Sequence, residues 1–139
     1  MIIDATDLIL GRLAAAVAKK ALLGEKVDII NVEKAVVSGK RADILQKYHQ
    51  KIGRTTILRG PFVPRMPDRL VRRTIRGMLP YKKEKGDKAM DRIMCYIGVP
   101  AEFQGKPHET IARALLKNTN VVNFITVGEI SKQLGAKPQ

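Results

Sequence analysis

The 139-residue sequence contains few of the residues on which disulfides, metal sites and membrane anchors depend. Its one cysteine, Cys95, excludes an internal disulfide, and its two histidines, His49 and His108, form no Cys/His cluster of the kind that binds zinc. No apolar run approaches the roughly 20 residues of a membrane-spanning helix, and residues 1–4 lack the basic and apolar regions of a signal peptide. We therefore expect a cytoplasmic protein with no metal, no cofactor and no membrane span.

Aromatic residues are also scarce, since tryptophan is absent and only three Tyr and three Phe occur. Proteins that read single-stranded RNA on a sheet stack bases on exposed aromatic rings, and no such cluster is visible. Patterns typical of a helix-turn-helix, a zinc finger or a basic zipper are absent too. If the protein binds nucleic acid, we expect it to recognise folded RNA by shape and phosphate position.

Positive charge is what the sequence has in excess, and nearly all of it lies in the middle of the chain. The net charge is +13 and the apolar fraction is 45%, so a true core is expected beneath a very basic surface. Residues 1–39 are neutral and residues 93–139 carry a net +2, whereas residues 40–92 carry sixteen Lys or Arg against five Asp or Glu. Such self-repulsion indicates a polyanionic partner, which is RNA, DNA or an anionic membrane surface.

The order of apolar patterns along the chain predicts an α/β fold. Residues 1–5 and 27–32 are apolar strands on either side of a helix at 11–23 that stops at Gly24, so the two strands should be parallel. Ser38 and Gly39 mark the start of the next helix. Further helices are predicted at 40–52, 67–78, 87–93, 108–116 and 128–134, strands at 56–58, 94–99 and 121–126, and irregular basic loops at 59–67 and 81–86.

The helix at 67–78 is the most informative segment. Its four arginines fall at i, i+3, i+4 and i+7, so they share one face, while Val71, Thr74, Ile75 and Met78 lie opposite with Leu70 at the margin. Arginine suits phosphate binding because its planar fork donates paired hydrogen bonds. The face therefore predicts contact with a nucleic-acid backbone rather than a merely solvated surface.

Other functions have weaker support in the residues. A dinucleotide-binding enzyme on a Rossmann-like sheet would need three glycines after the first strand, and only Gly11 is there, although Glu33 has a suitable position. Ser38-Gly39-Lys40 is too short for a phosphate-binding P-loop. No nucleophile, base and oxyanion hole can be assembled, and Cys95 sits in an apolar stretch as a small buried residue would. A DNA- or membrane-binding module is the other alternative.

Several motifs resemble the ribosomal protein L13 family of the large subunit. They are Ile3-Asp4-Ala5-Thr6 with Leu10-Gly11-Arg12-Leu13-Ala14, Ile30-Asn31-Val32-Glu33-Lys34, Arg59-Gly60-Pro61, Pro67-Asp68-Arg69 and Arg76-Gly77-Met78-Leu79-Pro80. The resemblance covers about residues 1–100, is closer to archaeal and eukaryotic forms than to bacterial ones, and leaves the tail after Gln104 uncovered.

This resemblance implies one domain over residues 1–139, with three α/β/α layers and a parallel sheet of about four strands, from which residues 59–92 form a basic excursion. It also implies a structural role without catalysis, with large-subunit rRNA and neighbouring ribosomal proteins as partners and no small-molecule substrate. The residues expected to contact RNA are Arg59, Arg65, Arg69, Arg72, Arg73, Arg76, Gly77, Lys82, Lys83, Lys85, Lys88 and Arg92, with Lys40, Arg41, Lys51 and Arg54. Gly77 is also expected to let the chain turn close to a backbone.

Overall fold

The chain begins with a parallel βαβ unit, as predicted. The computed structural model describes residues 1–54, 56 and 58–137. Strand β1 (Ile2–Asp4), helix α1 (Leu10–Leu22) and strand β2 (Val27–Ile30) follow one another, and β1 and β2 pair in parallel. Apolar residues at helical spacing bury one face of α1, and Gly24, with a φ of +103°, reverses the chain directly after it.

Strand β4 (Ile93–Cys95) completes the parallel sheet, whose order is β1-β2-β4. All four residues of the central strand β2 are buried, which is typical of a parallel strand covered on both faces. The α/β class is thus confirmed, but in the described part of the chain the sheet has three strands instead of about four. At the β1 edge a single bridge between Ile3 and Glu109 takes the fourth position.

A second, two-stranded sheet links distant parts of the chain. Strand β3 (Val36–Ser38) pairs antiparallel with β5 (Phe124–Thr126). The prediction that Ser38 and Gly39 start a helix was wrong for Ser38, which ends β3, and the helix α2 (Arg41–Gly53) begins after Lys40. A three-residue strand is too short to show an alternating pattern, so β3 was missed.

Helix α3 (Pro67–Met78) has the predicted bounds and packs against α1. Its buried residues are Pro67, Leu70, Val71 and Ile75, which join the core formed by α1, β2 and β4. Leu70 is therefore part of the core rather than its margin. Met78, predicted to face the core, is 44% exposed because it is the last residue of the helix, where the chain turns away.

The second half of the chain departs most from the predictions. Helix α4 (Glu84–Asp91) starts earlier than expected and takes in the end of the predicted loop at 81–86, while α5 (Val127–Gln133) lies where a helix was expected. The helix predicted at 108–116 was wrong. Glu109 exchanges both backbone hydrogen bonds with β1, and only 3-10 turns follow, at Ala112–Ala114 and Leu116–Asn118.

Two shorter predictions have mixed outcomes. Strand β4 covers only part of the strand expected at 94–99. Of the strand expected at 56–58, Thr56 forms a bridge with Gly60, and residue 57 lies outside the described residues. The loop from 59 to 66 contains no helix or strand, as its prolines predicted. None of the helices in the described ranges has the length and apolar character needed to cross a bilayer.

Candidate nucleic-acid interface

Helix α3 presents its arginines in two different ways. Arg69, Arg73 and Arg76 are exposed, and in the described part of the chain none of them forms an ion pair with a carboxylate. We call these three the arginine surface. Guanidinium groups that are exposed and not neutralised are available to phosphate oxygens.

Arg72, the fourth arginine of the predicted face, is half-buried and turned toward α4 and β4. Its guanidinium donates hydrogen bonds to the carbonyl oxygen of Met90 and to the sulfur of Met94, each at 3.4 Å. Its position at the edge of the helical face brings it over neighbouring elements, so its donors are partly engaged within the protein. The predicted set of four equivalent arginines is thus three exposed residues and one that ties α3 to the next elements.

Both loops that flank α3 are attached to it through arginines. Nη1 of Arg73 donates a 2.7 Å hydrogen bond to the carbonyl oxygen of Phe62, in the loop before the helix. The guanidinium of Arg76 lies 4.5 Å from the ring centre of Tyr81, in the turn after it, which is a cation–π contact. The predicted loop residues Arg59, Arg65, Lys82, Lys83 and Lys85 are all exposed.

A basic cavity of about 510 Å³ lies between α2, the loop before α3, and α3 itself. Lys51 and Arg54 from α2 line it together with Arg73 and Gly77 from α3, so the fold brings together residues from two predicted segments. Tyr48 forms part of the wall, and burial raises the pKa of its phenol above the usual value. The cavity thus presents positively charged lysine and arginine side chains around an uncharged tyrosine ring.

Gly77 was expected to let the chain turn close to a backbone, but it lies inside α3 and the helix continues to Met78. A methyl group at this position would meet nothing within 4 Å. The predicted turn is therefore absent, and close approach of an RNA backbone to this glycine stays a prediction.

Other predicted residues lie apart or are engaged in the fold. Arg41 forms a 2.6 Å ion pair with Glu129 at the start of α2, and about 20 Å of helix separates this end from Arg54. Lys88 pairs with Glu84 one turn away on α4. Arg92 is half-buried and donates to the carbonyl oxygen of Ala21 at the end of α1. Lys40, just before α2, is exposed.

Sequence reasoning missed a second basic surface, which lies outside residues 40–92. Arg12 and Lys19 on the exposed face of α1 line a groove together with Arg113 of the C-terminal segment. The spacing i, i+7 on α1 was a usable signal, because it places both cations on one face of the helix. The net charge of residues 1–39 is zero and so gave no indication of this surface, although the acidic residues of that segment do not line the groove.

The features proposed for a nucleotide-dependent enzyme are not assembled. Gly11 lies in the first turn of α1, and the β1–α1 connection, residues 5–9, contains no glycine. The carboxylate of Glu33 accepts a hydrogen bond from the backbone N–H of Gly98 at 3.1 Å, so it has a structural partner. No group of His, Cys, Asp or Glu in the described residues could hold a metal ion.

The isolated candidate residues likewise have ordinary surroundings. Burial raises the pKa of the Cys95 thiol to about 12, although Arg72 acts in the opposite direction, so the thiol stays protonated at neutral pH. His49 is exposed, and half-exposed His108 lies 3.9 Å from a carboxylate oxygen of Asp4.

Comparison with known proteins gives a consistent answer. A sequence model of the family "Ribosomal protein L13" matches residues 1–102. The large ribosomal subunit protein uL13 of Methanosarcina barkeri is 47% identical over 137 residues, which cover 98% of each chain. That of Methanococcoides burtonii is 43% identical over 136 residues, again 98% of each. That of Archaeoglobus fulgidus is 41% identical over 135 residues, or 96% of this chain and 86% of the relative.

The tail after Gln104, which the sequence motifs left uncovered, is included in these archaeal matches. The matched family model spans the βαβ unit, the arginine surface and strand β4, and the archaeal relatives extend the likeness through β5 and α5. On these grounds the chain belongs to the ribosomal protein L13 family.

Proposed function

We propose that this protein is a non-catalytic structural constituent of the large ribosomal subunit, that it binds large-subunit rRNA, and that it supports subunit assembly. Its partners are then rRNA and neighbouring ribosomal proteins, and its place of action is the cytoplasmic ribosome. The observation that carries the proposal is the arginine surface of α3, which is exposed and not neutralised by the described carboxylates.

The chemistry of this surface favours phosphate as the ligand. Each guanidinium offers a planar set of donors that matches two phosphate oxygens, and it needs no change of protonation to do so. The flanking loops, attached through Arg73 and Arg76, carry Arg59, Lys82 and Lys83 beside the same helix, and Lys85 follows in the first turn of α4. Residues 59–92 thus form a basic segment, anchored in the core through α3, that follows an RNA backbone without reading bases.

The cavity between α2 and α3 extends the proposed interface. Lys51, Arg54 and Gly77 lie around one opening, so a phosphate or a nucleotide can approach all three at once. Lys40 and Arg41 lie at the far end of α2, where they contact RNA only if it passes along the whole helix. Arg72 and Arg92 contribute mainly by holding α3 and α4 in place.

The test is binding to large-subunit rRNA transcripts at increasing salt. Each neutralised phosphate contributes about −0.9 to the slope of log affinity against log salt, so several contacts give a slope of several negative units. Arg69→Glu with Arg76→Glu should make the slope less steep by about two and weaken binding about tenfold or more. The fold should persist, because both side chains are exposed.

A matched control changes the charge equally at Lys26 and Lys132, which are exposed and outside the proposed interface. Lys26→Glu with Lys132→Glu should leave most of the affinity intact. Equal losses in both double variants would mean that net charge alone drives binding. Wild-type affinity that hardly changes with salt would overturn the proposal.

A further inference from the structure

A basic groove of about 810 Å³ lies on the side of α1 that faces away from the core. Arg12 and Lys19 of α1 form one wall, two helical turns apart, or about 10 Å along the axis. Arg113 and Asn118 of the C-terminal segment belong to the opposite wall, and Ala15 and Ala16 lie between the two cations of α1. None of these residues belongs to the basic middle segment.

The groove is positive in its own right. Three of its lining side chains are cations, and no described carboxylate lines it or pairs with them. A surface that is basic only for solubility usually mixes both signs of charge. Three unneutralised cations around one concave surface therefore indicate an anionic ligand.

The walls are held in place before any ligand binds. Nη1 of Arg12 donates a 3.0 Å hydrogen bond to the carbonyl oxygen of Arg113, which fixes its guanidinium across the groove. The backbone N–H of Ile9 bonds to the carbonyl of Ala114 at 2.8 Å, and that of Leu116 to the carbonyl of Asp7 at 2.9 Å. Because the C-terminal wall is attached at both points, little ordering entropy opposes binding.

The floor of the groove suits a nucleic-acid strand. The methyl groups of Ala15 and Ala16 leave the helix surface low and apolar, so a ribose or the flat face of a base can approach while the cations reach phosphates. An acidic protein segment would also match the charge. The excess of +13 in the whole chain favours the polyanion that is already its proposed partner.

We propose that this groove binds a second segment of rRNA, separate from the segment bound by the arginine surface, so that the protein joins two parts of the RNA. The inference rests on the proposed function, because it assumes rRNA as the partner. It adds a binding surface formed by Arg12, Lys19 and Arg113, which come from the first and last thirds of the sequence.

Hydroxyl-radical footprinting of large-subunit rRNA with the full-length protein tests the inference. We expect two protected regions with the wild type. Arg12→Glu with Lys19→Glu should remove one region and keep the other, and Arg69→Glu with Arg76→Glu should do the reverse. Lys26→Glu with Lys132→Glu should preserve both regions. The milder double variant Arg12→Gln with Lys19→Gln is a control for misfolding, because it removes the positive charges without adding acidic residues to α1.

The outcomes separate this inference from the proposed function. If the wild type protects no rRNA, the proposed function fails. If it protects rRNA and the Arg12/Lys19 variants, folded by circular dichroism, protect the same nucleotides, the groove is not an RNA site and the inference is wrong. A photo-crosslinker at position 16 that captures a neighbouring protein instead of RNA in assembled subunits would also overturn it.

Discussion

At the scale of single residues, the arginines of α3 differ in whether their side chains form hydrogen bonds within the protein. Replacing Arg72 by alanine removes hydrogen bonds to Met90 and Met94, so we expect a loss of about 1 kcal/mol in the free energy of unfolding. Arg69→Ala, at an exposed position, should change stability by less than about 0.5 kcal/mol. Urea denaturation of both variants measures the difference, and equal stabilities would contradict the structural role of Arg72.

Cys95 gives a prediction about pH. Burial raises its pKa from 9.0 to about 12, so at pH 8 the folded protein should react with iodoacetamide about a thousandfold more slowly than the unfolded chain. As pH rises above 9.0 the unfolded chain ionises while the folded one does not, so this thiol lowers stability in that range. Similar alkylation rates with and without denaturant would contradict the prediction.

Helical spacing was enough to place the arginines on one face of α3, because successive residues turn by a fixed angle. It could not show that Arg72 reaches the carbonyl of Met90, since that depends on how α4 and β4 pack against the helix. The same limit applies to Arg12 and Arg113, which are distant in sequence and meet only in the fold.

At the scale of elements, two glycines near the arginine surface have opposite roles. A Cβ at Gly86, in α4, would overlap the backbone carbonyl of Pro80 and lie 2.8 Å from the nitrogen of Tyr81. Gly86→Ala should therefore cost about 1–3 kcal/mol, as overpacking does. Gly77→Ala meets open space inside α3 and should stabilise by roughly 0.5–1 kcal/mol.

Thermal unfolding measures both changes, and rRNA binding adds a second readout for Gly77→Ala. If an RNA backbone approaches this glycine, as the sequence predicted, the variant should bind more weakly although it is more stable. Unchanged affinity would mean that Gly77 is not a contact. A stable Gly86→Ala variant would show that α4 can move away from the Pro80 turn at little cost.

The elements with strong helical periodicity, α1 and α3, were predicted within one residue of their observed bounds. Residues 108–116 have apolar spacing that also fits a helix, yet Glu109 bonds to β1. Local pattern cannot detect this, because the partner strand lies more than a hundred residues earlier.

At the scale of the whole molecule, a net charge of +13 on a 139-residue chain should make the free protein sensitive to salt. Salt screens repulsion over about 8 Å at 0.15 M, so raising the ionic strength to that level should increase the Tm of the free protein by a few degrees. Differential scanning calorimetry measures this, with Lys26→Glu/Lys132→Glu as a control of lower charge and smaller response. A Tm that falls with salt would contradict the prediction.

The fold class and the parallel βαβ start could be predicted from the sequence, because consecutive strands joined by a helix pair in parallel. The pairing of β3 with β5 could not, since both strands are three residues long and lie far apart in the sequence. The basic middle segment was evident from charge counts. The groove on α1 was not, because it combines residues from segments that are nearly neutral overall.

The pairing of β3 with β5 also bears on how the protein is made. Residues 36–38 leave the translating ribosome long before residues 124–126 are synthesised. The bridge between Ile3 and Glu109 likewise forms only after Glu109 is synthesised. Strand β3 and the outer edge of β1 therefore lack their partners until the C-terminal segment is synthesised, although β1, α1 and β2 can pack together earlier. A growing chain of this kind benefits from a chaperone or from early contact with RNA, and truncation before β5 should leave a product prone to aggregation.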